Sequence, residues 1–304
     1  MNLKHCACAS AFFGLAVLLI FAMATAGCTG TGPATTPPTT AAATGIKETI
    51  RISGSTTVLP VAQKAAEAYM ATHPGADIQV SGGGSGVGIQ QIGEKTVDIG
   101  MSSRELKSTE IGSYPTLVKH VVAKDGIAII VNPANQISSI KVDDVKKIYT
   151  GEIATWTGVT GGNVPNTNQQ IVVVGRDSAS GTREFFDKDA AGVLQGAAPA
   201  KSMLEKNSNG ALSQTITQTP GAIGYVSIGY ITADVKAVPI WYNDPGKAVA
   251  PTKETVRSGA YPIQRELFMF TNGQPTGLAA AFLGFIASPE GQAIVESEGF
   301  VGLN

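Results

Sequence analysis

Cysteine is nearly missing from this 304-residue chain, and the three present, Cys6, Cys8 and Cys28, all lie close to its start. Nothing after Cys28 can build a disulfide framework or a thiolate metal site. Histidine is as scarce: His5, His73 and His120 are the whole set, and no two stand at metal-ligand spacing. No metal and no other cofactor is expected. Charged residues are 15% of the chain and aromatics 6%, and 22 basic against 23 acidic residues leave a formal net charge of −1. Such a balance offers no field to a polyanion, so nucleic acid is excluded as a partner. Glycine, by contrast, is abundant at 36 residues, and a hydrophobic fraction of 43% is ample for a core. The length allows one large domain or two.

Charge is also missing from the beginning of the chain: no lysine, arginine, aspartate or glutamate occurs between Lys4 and Lys47. A basic start, the apolar run Ala11–Ala26 and a small-residue exit describe a secretory signal. Thr25-Ala26-Gly27-Cys28 resembles a lipobox, in which the cysteine is lipidated and becomes the mature N-terminus; Thr25 departs from the usual leucine. The run nearly reaches spanning length, so an uncleaved anchor helix is the other reading. Residues 29–45 are rich in threonine and proline and carry no charge, which describes an extended stalk reaching about 50 Å. The expected layout is therefore a signal peptide over 1–27 and a lipidated Cys28 with its stalk over 28–45.

From Ile46 onward, short β-branched runs alternate with helical patterns, as in IKETIRIS then VLPVAQKAAEAYMATH, or QIVVVGR then TREFFDKDAA. This alternation predicts an α/β fold with largely parallel sheets. Positions 58, 61, 62, 65, 68 and 69 are apolar and form one helical face. Ser288-Pro289 reads as an N-cap followed by proline at the first helical position. Two apolar strands, Val121–Val131 and Leu267–Phe270, break the pattern far apart in sequence. In a bilobal protein they are the crossovers, which makes one lobe discontinuous.

Three segments repeat one grammar of strand, small-residue turn and helix: ISGSTT before Val58, VSGGGSG before Val87, and VGRDSASGT before Arg183. Free N–H groups at a helix N-terminus, hydroxyl donors and glycine together make an anion site. Arg176 adds a planar fork suited to two oxygens of a tetrahedral oxyanion. Each turn alone is also an ordinary capped βα turn.

Catalytic readings are weaker. Gly-x-Ser-x-Gly is absent, and GGGSGVG lacks the Gly-Lys-Ser/Thr ending of a phosphate-binding loop. Ser178 and Ser180 have no nameable partner base. His73 and His120 read as surface or packing residues, Asp98 as a strand-edge or turn acid, and Tyr149 to Trp156 as core. No catalytic residue is assigned.

ISGSTTVLPVAQKAAEAY, SGGGSGVGIQQI, VDIGMSSREL, IYTGEIATW, VVGRDSASGTREFF, GAIGYVSIGY and SPEGQAIVESEGFV, in this order, resemble the phosphate-binding proteins of ABC phosphate importers. The resemblance runs from about Ile50 to the last residues. It implies a two-lobed type II periplasmic-binding-protein fold with two hinge crossovers and phosphate held in the cleft. The lobes are then expected over 46–124 with 259–304, and over 125–258.

Position by position, it implies binding through Thr56 and Thr57 of the first turn (Thr57 through its backbone), Ser85 of the second, and Arg176, Ser180, Gly181 and Thr182 of the third. Two departures stand out. Ser103 occupies the place of an aspartate that accepts the phosphate proton, and Ser178 replaces an aspartate two residues after the arginine, with Asp177 adjacent. The implied protein is a monomeric extracytoplasmic receptor, tethered to the membrane by lipid on Cys28, that delivers inorganic phosphate to an ABC permease. A receptor for sulfate or molybdate, or a phosphate-ester hydrolase on the same scaffold, remains as an alternative.

Overall fold

The structure of the protein, a computed structural model, describes residues 47–159 and 169–303. The expected signal peptide, lipidated Cys28 and stalk lie outside the described residues.

β1 (Glu48–Gly54) leads into α1 (Leu59–Thr72), β2 (Ala76–Ser81) into α2 (Ser85–Gly93), and β3 (Ile99–Ser102) into the short α3 (Ser108–Ser113). β4 (Leu117–Val131) then crosses to the second lobe. That lobe holds β5 (Ile140–Lys141), α4 (Val142–Thr150), β6 (Val172–Arg176), α5 (Gly181–Lys188), β7 (Leu204–Lys206) and α6 (Asn209–Gln218). It continues through β8 (Ala222–Ser227), β9 (Lys236–Val238), β10 (Ile240–Trp241) and α7 (Lys253–Arg257). β11 (Gln264–Asn272) crosses back, followed by α8 (Gly277–Ala287) and α9 (Pro289–Ser297).

Local sequence explains these elements. α1 buries Val61, Ala62, Ala65 and Tyr69 of the face its periodicity predicts, with Ala66 buried in addition and Ala68 only half-buried. Ser288 caps α9 by accepting from the Gly291 N–H at 3.2 Å, with Pro289 opening the helix where a missing N–H costs nothing. The strands run in the order β2-β1-β3-β11-β4-β8-β6-β7, with β9 also on β4 and a separate β10-β5 pair. Parallel pairing holds for β1 with β2 and β3, and for β6 with β7 and β8. The expectation of largely parallel sheets fails in the middle. β4 leaves on the path by which β11 returns, so the two pair antiparallel, while β11 also pairs antiparallel with β3, and β4 with β8 and β9.

The apolar interior follows the same division. One large cluster includes Ile52, Val61, Met101, Ala123, Leu267 and Phe282; the other includes Ile127, Val145, Phe186, Leu212, Tyr225 and Ile263. Packing thus changes cluster between Ala123 and Ile127 on β4, and between Ile263, just before β11, and Leu267 within it. These are the two hinge crossovers of a type II periplasmic-binding-protein fold. His120 stands inside β4 rather than at its start, and its Nε2 lies 2.9 Å from Thr271 Oγ1 on β11.

Candidate functional site

The three turns converge where the lobes meet. In the first, Ser55 Oγ accepts from the N–H groups of Thr57 (3.2 Å) and Val58 (3.4 Å), which fixes the start of α1. The Thr57 backbone donor is therefore already engaged at home. Its hydroxyl, not its N–H, meets the other lobe, lying 3.1 Å from Thr182 Oγ1. In the second turn Gly84 takes φ 97°, a conformation glycine adopts without strain, and a β-carbon there would come 2.6 Å from the Ala179 carbonyl oxygen. This close approach lets Gly86 N–H donate to Ala179 O at 3.0 Å across the cleft. Ser85 follows Gly84, is fully buried, and accepts from the Ser103 N–H at 3.0 Å; the two hydroxyl oxygens are 3.3 Å apart. In the third turn Ser180 caps α5 by accepting from Arg183 N–H at 3.2 Å, with Gly181 and Thr182 in the first helical turn.

Arg176 ends β6 and is only 1% exposed. Its Nε donates to Lys206 O at 3.2 Å, Nη1 to Asn209 Oδ1 at 3.1 Å, and Nη2 to Thr56 Oγ1 at 3.0 Å and Asn207 O at 3.3 Å. Every one of these partners is neutral. Burial pushes the guanidinium pKa down from its usual value, with the neighbouring Tyr225 and Asp177 acting the other way. A buried cation bonded only to neutral oxygens is costly until an anion joins it.

Thr56, Thr57, Ser85, Ser103, Arg176, Ser180 and Thr182 are all buried, with Gly181 beside them. Of the two neighbours weighed in the sequence, Ser178 is exposed, whereas Asp177 Oδ1 is buried and without a partner. The weaker candidates fall where expected. His73 stacks on Tyr69 at 3.9 Å, Asp98 accepts from Arg51 N–H just before β3 begins, and Tyr149 and Trp156 are core. Among the described residues no three histidine, cysteine or acidic side chains could hold a metal ion.

Four residues of the cleft were not foreseen. Asn209, at the start of α6, donates to Thr57 Oγ1 at 3.0 Å while accepting from Arg176. Its segment, Asn207-Ser208-Asn209-Gly210 leading from β7 into α6, carries the strand–turn–helix grammar in a fourth copy. Tyr230 donates to the Thr56 carbonyl at 2.6 Å, and burial pushes its pKa up to about 12. Asp125 and Arg265 are direct partners on the crossover strands, and Arg265 Nη2 lies 2.9 Å from Thr182 Oγ1. Each stands next to a residue of opposite charge, Lys124 and Glu266, so neither is singled out in the sequence.

Further out, Glu184 of α5 accepts an ion pair from Lys107 at 2.7 Å and lies 3.5 Å from Arg104 Nε, linking the lobes at the rim. Arg104 also forks onto Glu110 with two contacts of 2.7 Å.

A bilobal α/β frame with helix N-termini, hydroxyls and a buried guanidinium facing one cleft defines a solute-binding protein. The chain belongs to the PBP superfamily, whose domain matches residues 36–290, and within it to the phosphate-binding proteins. It is 39% identical over 254 residues to the phosphate-binding protein PstS of Bacillus subtilis, covering 83% of this chain and 80% of that one. A Clostridium perfringens structure with bound phosphate shares 31% identity, covers 84% of this chain and 100% of its own, and superposes with a TM-score of 0.75. An ABC-type phosphate transport receptor from Vibrio cholerae shares 30% identity over 83% of this chain and 99% of its own, with a TM-score of 0.65.

Proposed function

We propose that the protein is an extracytoplasmic receptor that binds inorganic phosphate between its lobes and delivers it to an ABC importer. One observation carries the binding reading: the Arg176 guanidinium is buried, and every oxygen it donates to is neutral. An oxyanion between the turns receives that charge, the hydroxyls of Thr56, Thr57, Ser85, Ser103, Ser180 and Thr182, and the N–H groups of the helix starts around Gly181. Binding proceeds without chemistry. The lobes close on the anion and reopen on the permease, with β4 and β11 as the hinge. The hydrolase alternative loses its support, since the relatives are named for binding and transport.

The receptor acts as a monomer, held to the outer face of the membrane by lipid on Cys28 through the 29–45 stalk. A single acyl chain binds a membrane only marginally, so stable anchoring takes more than one. Mass spectrometry of the membrane fraction tests this: lipid on Cys28, and release by Cys28→Ser, is the expected result. An unmodified Cys28 with residues 1–27 retained would favour the anchor helix.

One observation favours a second oxyanion as an additional ligand. Ser103 presents a hydroxyl beside Ser85, where the resemblance expects a carboxylate. Titration calorimetry with phosphate, sulfate and molybdate tests the assignment. Phosphate binding most tightly is the expected result, and no heat with any of the three would remove the reading.

A further inference from the structure

The crossover strands place a second guanidinium at the floor of the cleft. Arg265 of β11 stands directly opposite Asp125 of β4 and clasps its carboxylate through Nε at 3.0 Å and Nη2 at 2.8 Å. The Arg265 side chain is 3% exposed and that of Asp125 fully buried. Asp125 is held from its other side by the Ser227 hydroxyl and the Ile228 N–H, and the Phe185 ring covers the guanidinium at 5.8 Å. A hinge needing only a cross-strand pair would end there. Arg265 Nη2 instead reaches on to Thr182 Oγ1 at 2.9 Å and to Thr57 Oγ1 at 3.5 Å, one hydroxyl from each lobe. Nη1 of the same guanidinium is buried and has no partner.

We propose that Arg265 is a second cationic contact of the anion site, acting through Thr57 and Thr182 and through its own Nη1. Lone-pair occupancy gives the reason for the first route. Thr57 Oγ1 accepts from Asn209 as well as from Arg265, and Thr182 Oγ1 accepts from Arg265. A hydroxyl whose oxygen is already accepting turns its proton outward as a donor. Thr57, with two donors on its oxygen, therefore donates to Thr182 at 3.1 Å, and Thr182, accepting from Arg265 and Thr57, is set to donate to an anion rather than to compete with it. Nη1 supplies the second route, since a buried unpaired donor on a full charge is costly until an oxygen reaches it. With Ser103 in place of a carboxylate, the hydroxyl cluster carries no negative charge of its own to compete with an anion for this second cation.

The inference rests on reading the cleft as a phosphate site, and the experiment keeps the two apart. The full chain is titrated with inorganic phosphate by calorimetry, with the folded fraction checked by circular dichroism. Wild-type protein that does not bind phosphate would remove the site reading itself. Given wild-type binding, Arg265→Gln is expected to weaken phosphate by at least about tenfold. Arg265→Lys keeps the charge and should restore most of that loss. Because Arg265→Gln leaves a buried carboxylate unpaired, the double change Arg265→Gln with Asp125→Asn removes both charges of the pair together. It too should bind at least about tenfold more weakly while folding normally. A folded double variant with wild-type affinity, or an Arg265→Lys variant as impaired as Arg265→Gln, would reduce Arg265 to a structural hinge residue and overturn the proposal.

Discussion

Gly181 of α5 faces Ser85 of α2 across the cleft so closely that a β-carbon on Gly181 would lie 2.3 Å from Ser85 Oγ and 2.8 Å from Ser103 Oγ. The obstacle belongs entirely to the other lobe. Each lobe can therefore fold with alanine at this position, but the two cannot close to the same distance. Overpacking of this kind costs about 1–3 kcal/mol, so Gly181→Ala should weaken phosphate by roughly fivefold or more. The urea midpoint of the ligand-free protein should hardly move, because alanine suits a helix better than glycine. Undiminished affinity would show that the bound state closes less far than this structure.

Arg176→Ala removes the cation whose bonded partners are all neutral. Truncating one side of a buried charged contact costs about 2–5 kcal/mol, a loss of at least roughly thirtyfold in phosphate affinity. Calorimetry giving an unchanged Kd would take Arg176 out of the site.

The sequence made the helix starts legible because each announces itself locally, by hydroxyl caps and glycine turns over a few residues. It made the crossovers legible as apolar strands out of pattern, although not their antiparallel pairing, which depends on two segments over a hundred residues apart coming to lie side by side. The same separation hid Arg265. Next to Gln264 and Glu266 it reads as one more polar residue at a strand start. Only register against Asp125 shows that it points inward and reaches Thr182. Thr57 shows a subtler limit: its identity pointed to the cleft, but which of its groups meets the other lobe depended on where Ser55 Oγ turned.

Selectivity turns on Ser103. Phosphate near neutral pH carries a proton and sulfate does not, so discrimination needs an obligate acceptor. The Ser103 hydroxyl can rotate to donate or accept. What remains is a mismatched buried hydrogen bond of about 1–3 kcal/mol, and phosphate should be preferred to sulfate by only about ten- to a hundredfold. Ser103→Asp should sharpen that preference. If a large sulfate excess leaves phosphate binding untouched in a competition titration, the acceptor lies elsewhere, and the buried, unpartnered Asp177 Oδ1 is the atom to replace.

The hinge carries a pH dependence. Burial lowers the pKa of His120, which sits on β4 against Thr271 of β11. Thr271 donates its hydroxyl proton to Gly273 O, so the neutral imidazole donates from Nε2. The unfolded chain binds the His120 proton near its ordinary value of about 6.5, and the folded chain only at lower pH. This contribution is therefore complete above about pH 6.5 and is lost as pH falls through both values. The melting temperature should drop between pH 7 and pH 5, with a shallower slope in His120→Gln. An identical slope in the variant would assign the titration to other groups.

The most direct test of the account is a crystal structure grown in phosphate. It should place the anion between the lobes within hydrogen-bond distance of Arg176, with Thr56, Ser180 and Thr182 around it. Density for phosphate elsewhere, or a cleft that closes without an anion touching Arg176, would contradict it.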